Sequence, residues 1–230
     1  RSSAVVLAYN SETVKDVPKT LDDVYEWIRS HPERFAYNDP STGGAGSSFV
    51  TTSIYKFLPE DAIHNTDPSI ESQWDQGFSL LKDLGKYMYG KGIYPKKNQG
   101  TLDLLTSGEV DMIPAWSDMV LDQLDKGQLP ETTKITQITP GFNGGPTYLM
   151  VPKLSEKKDA VYKFLDFVLS PEAQNVVVDK MHGFPGIKLT NMSQEVQDSF
   201  KGASEGFRSF NIGDLDKDIN KRWQSEVAAQ

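Results

Sequence analysis

The chain of 230 residues contains no cysteine, so disulfides, thiolate catalysis and cysteine-type zinc sites are excluded. It has no apolar run close to the ~20 residues that a membrane-spanning helix requires. Histidine is scarce. His31, His64 and His182 stand apart in loop-like or helix-end contexts without metal-ligand spacing, and capping or exposed roles account for them. No metal and no cofactor is expected. Basic residues are in deficit, 24 Lys and Arg against 32 Asp and Glu, and the resulting charge of −8 disfavours a general nucleic-acid binder, which needs a basic face. The sign of a small ligand stays open, because the field inside a site can oppose the net charge.

What is present is the composition of a globular protein, 37% hydrophobic and 24% charged, at a length that fits one large domain or two small ones. Strand-like and helix-like stretches alternate, which predicts an α/β fold with a largely parallel sheet. Ala4 to Tyr9 reads as an apolar strand directly after Arg1-Ser2-Ser3. Leu21, Val24, Tyr25 and Ile28 share one helix face, begun by a capping-box-like Thr20 and Asp23 and ended at His31-Pro32. Arg34 to Tyr37 predicts a short buried strand, and Asp67-Pro68 the start of a long helix carrying Ile70, Trp74, Phe78, Leu81 and Met88. Asn98-Gln99-Gly100 predicts a turn before a short helix closed by Gly108. Val110 to Ala115 and Lys134 to Ile138 predict strands, with a helix from Met119 to Lys126 between them. Leu215, Ile219 and Trp223 mark the core face of a C-terminal helix.

Three places carry candidate binding chemistry. The loop Ser41-Thr42-Gly43-Gly44-Ala45-Gly46-Ser47-Ser48 stands between a strand and a helix start. Glycines there let backbone approach a ligand, and free helix N–H groups favour an anionic or strongly polar head. An ordinary Gly-rich turn with serine capping is the plainer account. Trp116-Ser117-Asp118 follows a strand; an indole beside a hydroxyl and a carboxylate can hold a ring or a cation. Trp116 can equally cap the core while Asp118 N-caps the next helix. Tyr9 with Asn10, Thr147 with Tyr148, and Asn98 come third, with core-edge and turn-capping roles as alternatives.

The most informative segment runs from Gly144 to Gly186. A Gly-Gly-Pro turn leads into the apolar run Tyr148 to Val151, which ends at Pro152-Lys153. Val161, Phe164, Leu165 and Val168 recur at helical spacing, and Ser170-Pro171-Glu172 stops that helix and starts another. This succession resembles the return crossover and C-terminal helices of the extracellular solute-binding proteins of ABC importers, family 1. The resemblance implies a periplasmic-binding-protein-like type II α/β fold, made of one complete lobe plus the C-terminal part of the other. The division it implies is 1–145 for the second lobe with its first crossover strand, and 146–230 for the return crossover and the rest of lobe one.

The same resemblance implies side-by-side crossover strands, around Val5 to Tyr9 and Thr147 to Val151. It also implies a cleft holding Ser41, Thr42, Gly43, Gly44, Gly46, Ser47, Asn98, Trp116, Ser117 and Asp118, floored by Tyr9, Thr147 and Tyr148. The family pattern extends upstream of Arg1, so the chain reads as a fragment lacking the N-terminal part of lobe one, with a processed small domain as the alternative. In that case the apolar face of the helices from Ala160 to Met181 should lie bare.

Catalytic motifs fail on inspection. Gly85 to Lys91 matches a P-loop skeleton until Gly92 stands where Ser or Thr should hold magnesium, and Val50 replaces the second glycine of a nucleophile elbow after Gly46-Ser47-Ser48. Iron-binding relatives use adjacent tyrosines, whereas Met88 separates Tyr87 from Tyr89. Two classes of function remain. One is a periplasmic or extracellular protein, with or without a lipid anchor, that closes on a small solute and hands it to an ABC permease, monomeric at full length and without nucleic acid. The other is an enzyme on a related two-lobed fold, of synthase or deaminase type.

Overall fold

The computed structural model describes residues 1–194, 197 and 206–229. Its organising element is β1 (Ser2–Asn10), whose residues Ala4 to Ala8 have no solvent exposure. Alternation along the strand sends Val5 and Leu7 into the main core and Ala8 into a second core on the opposite face. A strand buried on both faces needs helices on both, and the chain supplies them. On the main-core side lie α1 (Leu21–Ser30), α2 (Gly44–Tyr55) and α3 (Asp75–Gly85). On the other lie α4 (Lys97–Ser107) and α5 (Ser117–Asp125).

β1 pairs antiparallel with β2 (Met112–Trp116), β3 (Thr133–Thr136) and β4 (Gly144–Pro146). The largely parallel sheet is therefore corrected. Parallel pairing among the described residues is confined to single bridges, such as Phe35 to Met112. The physical reason is that β1 runs against β2, which itself runs alongside the buried segment Phe35 to Tyr37. That segment is extended and buried as expected, but it makes one bridge rather than a strand.

Local signals were kept where capping chemistry is complete. Asp23 N–H donates to Thr20 Oγ1 at 3.1 Å and Thr20 N–H to Asp23 Oδ2 at 2.8 Å, closing the capping box of α1. The long helix expected from Asp67 is instead a 3₁₀ segment, Pro68–Gln73, followed by α3, with the buried Trp74 between them. Close approach of α3 to α2 accompanies the break: a Cβ on Gly77 would sit 2.5 Å from Ile54 Cα. Asn98 lies inside the first turn of α4 rather than in a turn before it.

The return crossover differs from expectation in register. Pairing joins Ser2 and Ala4 to Pro146 and Gly144, and Tyr148 to Val151 form no strand. Thr147 N–H still donates to Arg1 O, after which Tyr148, Leu149 and Met150 are exposed. Next come α6 (Lys158–Val168) and α7 (Pro171–Met181), with Ser170 Oγ accepting from Ala173 N–H as N-cap. α6 buries no residue, and Tyr162, Phe164 and Phe167 are each more than half exposed. Of the apolar face expected to lie bare, Phe164 is exposed while Val161, Leu165 and Val168 are half-buried, and α7 buries Ala173 and Gln174.

The chain then returns to the main core. Arg208 N–H donates to Phe142 O and Gly144 N–H to Arg208 O, so a strap from Phe207 to Ile212 lies along residues 142–144. It feeds α8 (Leu215–Trp223), which buries Leu215, Ile219 and Trp223 among residues of α2 and α3. Trp223 Nε1 donates to Tyr37 Oη at 2.9 Å in the middle of that core.

Candidate functional site

The indole of Trp116 ends β2 and precedes α5, with extended backbone (φ −67°, ψ 129°). It stands between two adjoining cavities. One, of about 260 Å³, is lined by Gly44, Ser47, Ser48 and Thr51 of α2, by Asn143, and by Phe210 to Gly213 and Asp216 of the strap and α8. The other, of about 490 Å³, is lined by Arg1, Ser3, Asp118, Met119, Asn143 and the β4 region through Thr147. Trp116 and Asn143 line both.

Of the residues expected in a cleft, Gly44, Ser47, Trp116, Asp118 and Thr147 reach these cavities. Ser41, Thr42, Gly43, Gly46, Ser117, Asn98, Tyr9 and Tyr148 line neither, and hydrogen bonding explains most of them. Asn38, fully buried, donates to Asp39 O and Gly43 O and accepts from Gly46 N–H at 2.9 Å. Asn98 Oδ1 accepts from Ala45 N–H at 3.1 Å. Two amide side chains thus satisfy two of the first-turn N–H groups, those of Ala45 and Gly46, that an anion would draw on.

Ser41 donates from N–H and Oγ to Asp39 Oδ1, and Thr42 Oγ1 donates to Asp39 O and accepts from Lys97 N–H. Burial opposes ionisation of Asp39, but Lys96 at 2.7 Å and both Ser41 donors outweigh it and hold the carboxyl below its usual range. The earlier part of the Gly-rich loop is tied up by hydrogen bonds, and its later part, Gly44, Ser47 and Ser48, borders the smaller cavity. Gly43 and Gly46 leave no room for a Cβ beside Asn98 and Asn38, whereas Gly44 faces the indole, where a Cβ would meet Trp116 Cζ2 at 3.1 Å.

Ser117 is buried, its hydroxyl 3.3 Å from Ser3 Oγ. Asp118 Oδ2 accepts from Arg1 Nη1 at 2.6 Å and its Oδ1 from Ser3 Oγ at 2.7 Å. Tyr9 pairs with Met112 and Lys134, at the end of β1 away from β4. Tyr148 is 76% exposed beyond the crossover.

Sequence reasoning missed Asn143, Phe210 and Asp216. Asn143 Oδ1 accepts from Phe210 N–H at 3.4 Å, and its own N–H donates to Ser48 Oγ at 2.8 Å, tying crossover, strap and α2 together. The position of Asn143 just before Gly144-Gly145-Pro146 was a usable signal. Asp216 had none, since its tie to Ser47 Oγ (3.2 Å) spans 169 residues. Chemically the arrangement offers an aromatic face, amide and hydroxyl groups, and two carboxylates. Among the described residues no group of three or more His, Asp or Glu could hold a metal.

A family model described as bacterial extracellular solute-binding protein matches residues 1–201. A maltooligosaccharide ABC transporter solute-binding lipoprotein of Streptococcus pneumoniae (strain ATCC BAA-255 / R6) is 22% identical over 200 residues, covering 79% of this chain and 47% of that protein. The chain thus spans about half the length of this curated relative, 47%. A periplasmic thiamin binding protein superposes with a TM-score of 0.67 at 16% identity, over 98% of this chain and 64% of its own. Ferric iron-binding protein A of Mannheimia haemolytica in an open conformation gives 0.67 at 15% identity, over 97% and 67%. These likenesses show the fold, the α/β type II periplasmic-binding-protein architecture.

Proposed function

The chain belongs to the bacterial extracellular solute-binding proteins, and from that premise we propose that it captures a small solute outside the cytoplasm and delivers it to the membrane permease of an ABC importer. The observation that carries the reading is the position of Trp116 and Asn143. Both line both cavities, beside the point where β1 and β4 pair as chain crossovers. A ligand resting there touches α2 and α8 on one side and the crossover on the other. In a two-lobed binder, a ligand seated there that also meets the second lobe stabilises the closed state, so ligand shifts the open–closed population.

The lobe division we favour keeps residues 1–145 as one body and adds the strap and α8 to it, because Ile212, Leu215, Ile219 and Trp223 pack in the same core as Val5 and Leu7. Residues 147–192, with α6 and α7, then belong to the other lobe. Capture rather than turnover is supported by Asp118, whose carboxylate is held in an ion pair with Arg1.

The test is native mass spectrometry of the protein purified from its host, followed by calorimetry of the released solute against wild type and Trp116→Ala. A non-covalent small molecule that binds stoichiometrically and loses affinity in the variant is expected. Chemical conversion of that molecule by the protein would replace this reading with the enzymatic one.

A further inference from the structure

We infer that the solute carries a positively charged nitrogen, and that Asp216 is the residue that selects it; this rests on the capture reading above. Asp216 lines the smaller cavity with Trp116 and Phe210, so a carboxylate and two aromatic side chains border one space of about 260 Å³. Its hydrogen bonds come from neutral donors, Ser47 Oγ at 3.2 Å and Asn220 Nδ2 at 3.3 Å. Two long bonds leave lone-pair capacity on an ionised carboxylate. Among the described residues no lysine or arginine forms an ion pair with it.

The neighbouring carboxylates differ. Asp118 is neutralised by Arg1, and Asp214 by Lys217 at 2.7 Å. A first-turn acid is also what the start of α8 favours electrostatically, and that accounts for an acid near position 216. It does not account for an unpaired one walled by aromatic rings. Closing a second lobe over the cavity would strip water from that charge, which is costly unless a cation replaces it. An ammonium against the Trp116 indole gains cation–π attraction as well, whereas the Phe210 ring already carries the Arg208 guanidinium, its carbon 4.9 Å from the ring centroid.

The opposite polarity has fewer donors to meet it. Of the N–H groups in the first turn of α2, those of Ala45 and Gly46 are spent on Asn98 and Asn38.

Calorimetry on the intact protein with choline and putrescine as cations, maltose as a neutral polyol and succinate as an anion tests the assignment. The cations are expected to bind about tenfold or more tightly than the other probes, and Asp216→Asn to remove about tenfold or more of that affinity. Asp214→Asn, which removes a nearby carboxylate that lines neither cavity, should change it by less than about threefold. Preference for maltose or succinate, unchanged cation affinity in Asp216→Asn, or no cation binding up to millimolar concentration would each overturn the charge assignment. Maltose or succinate affinity that falls in Trp116→Ala would leave the capture reading standing while the charge assignment fails. Probe binding indifferent to both Trp116→Ala and Asp216→Asn would remove both.

Discussion

Asn38 and Gly46 are locked to each other twice: Gly46 N–H donates to Asn38 Oδ1 at 2.9 Å, and the Gly46 Cα lies against the Asn38 carbonyl with no space for a Cβ. Gly46→Ala is therefore expected to destabilise the protein by about 1–3 kcal/mol or more, as overpacking does. Asn38→Ala should cost at least about 2 kcal/mol, since the buried Gly46 N–H and its carbonyl partners lose their bonds. Urea unfolding of both variants is the check. A Gly46→Ala midpoint equal to wild type would mean that the turn can open.

Trp116→Ala should weaken solute binding by about 1–3 kcal/mol, the scale of a buried aromatic contact, and lower the melting temperature as well, because the indole borders both cavities and also packs against the main core. Gly44→Leu should weaken binding further by displacing that indole from 3.1 Å away. Affinity measured by calorimetry with the copurified solute decides, and an unaltered value in both variants would move the site elsewhere.

Acid sensitivity follows from Asp39. Its folded carboxyl titrates below the ordinary 3.8, so its pairing with Lys96 and Ser41 stabilises the fold above that pH and is lost as pH falls through the folded value. Asp39→Asn is expected to lower stability at neutral pH and to make the loss on acidification shallower. Thermal melts across that range would show it, and parallel acid profiles would exclude Asp39 as a contributor.

Exposed Tyr148, Leu149, Met150, Phe164 and Phe167 predict that this 230-residue chain on its own binds a hydrophobic fluorescent dye. Phe164→Glu with Phe167→Glu should suppress the signal without lowering the unfolding midpoint, because α6 buries nothing. A dye response insensitive to both changes would place the reactive surface elsewhere.

What the sequence made legible was whatever is decided within a few residues. The Thr20–Asp23 box, the Gly108 terminator and the passage from β2 through Trp116 into α5 each depend on neighbours in the chain; the helix expected after the loop Ser41 to Ser48 instead starts within it, at Gly44. The sense of β1 relative to its partners was not legible, since burial on both faces reads the same in a parallel and an antiparallel strand. The loop at Ser41 to Ser48 was legible only in part for a related reason. Its glycines signal close approach, and only the fold shows that Asn98 and Asn38 approach Gly43 and Gly46 while Gly44 faces Trp116. Asp216 entered the cavity through a contact whose two ends no local pattern connects.

Trp223 and its bond to Tyr37 bear on the order of events when the protein is made. The main core has an opening that α8 fills, and the smaller cavity takes Phe210, Asp216 and their neighbours from that helix and the strap before it. A chain emerging from the ribosome cannot complete either before residues 207–223 join residues made far earlier, and such long-range closure is slow to form. Until then the nascent polypeptide carries an unfinished interior and no finished binding pocket.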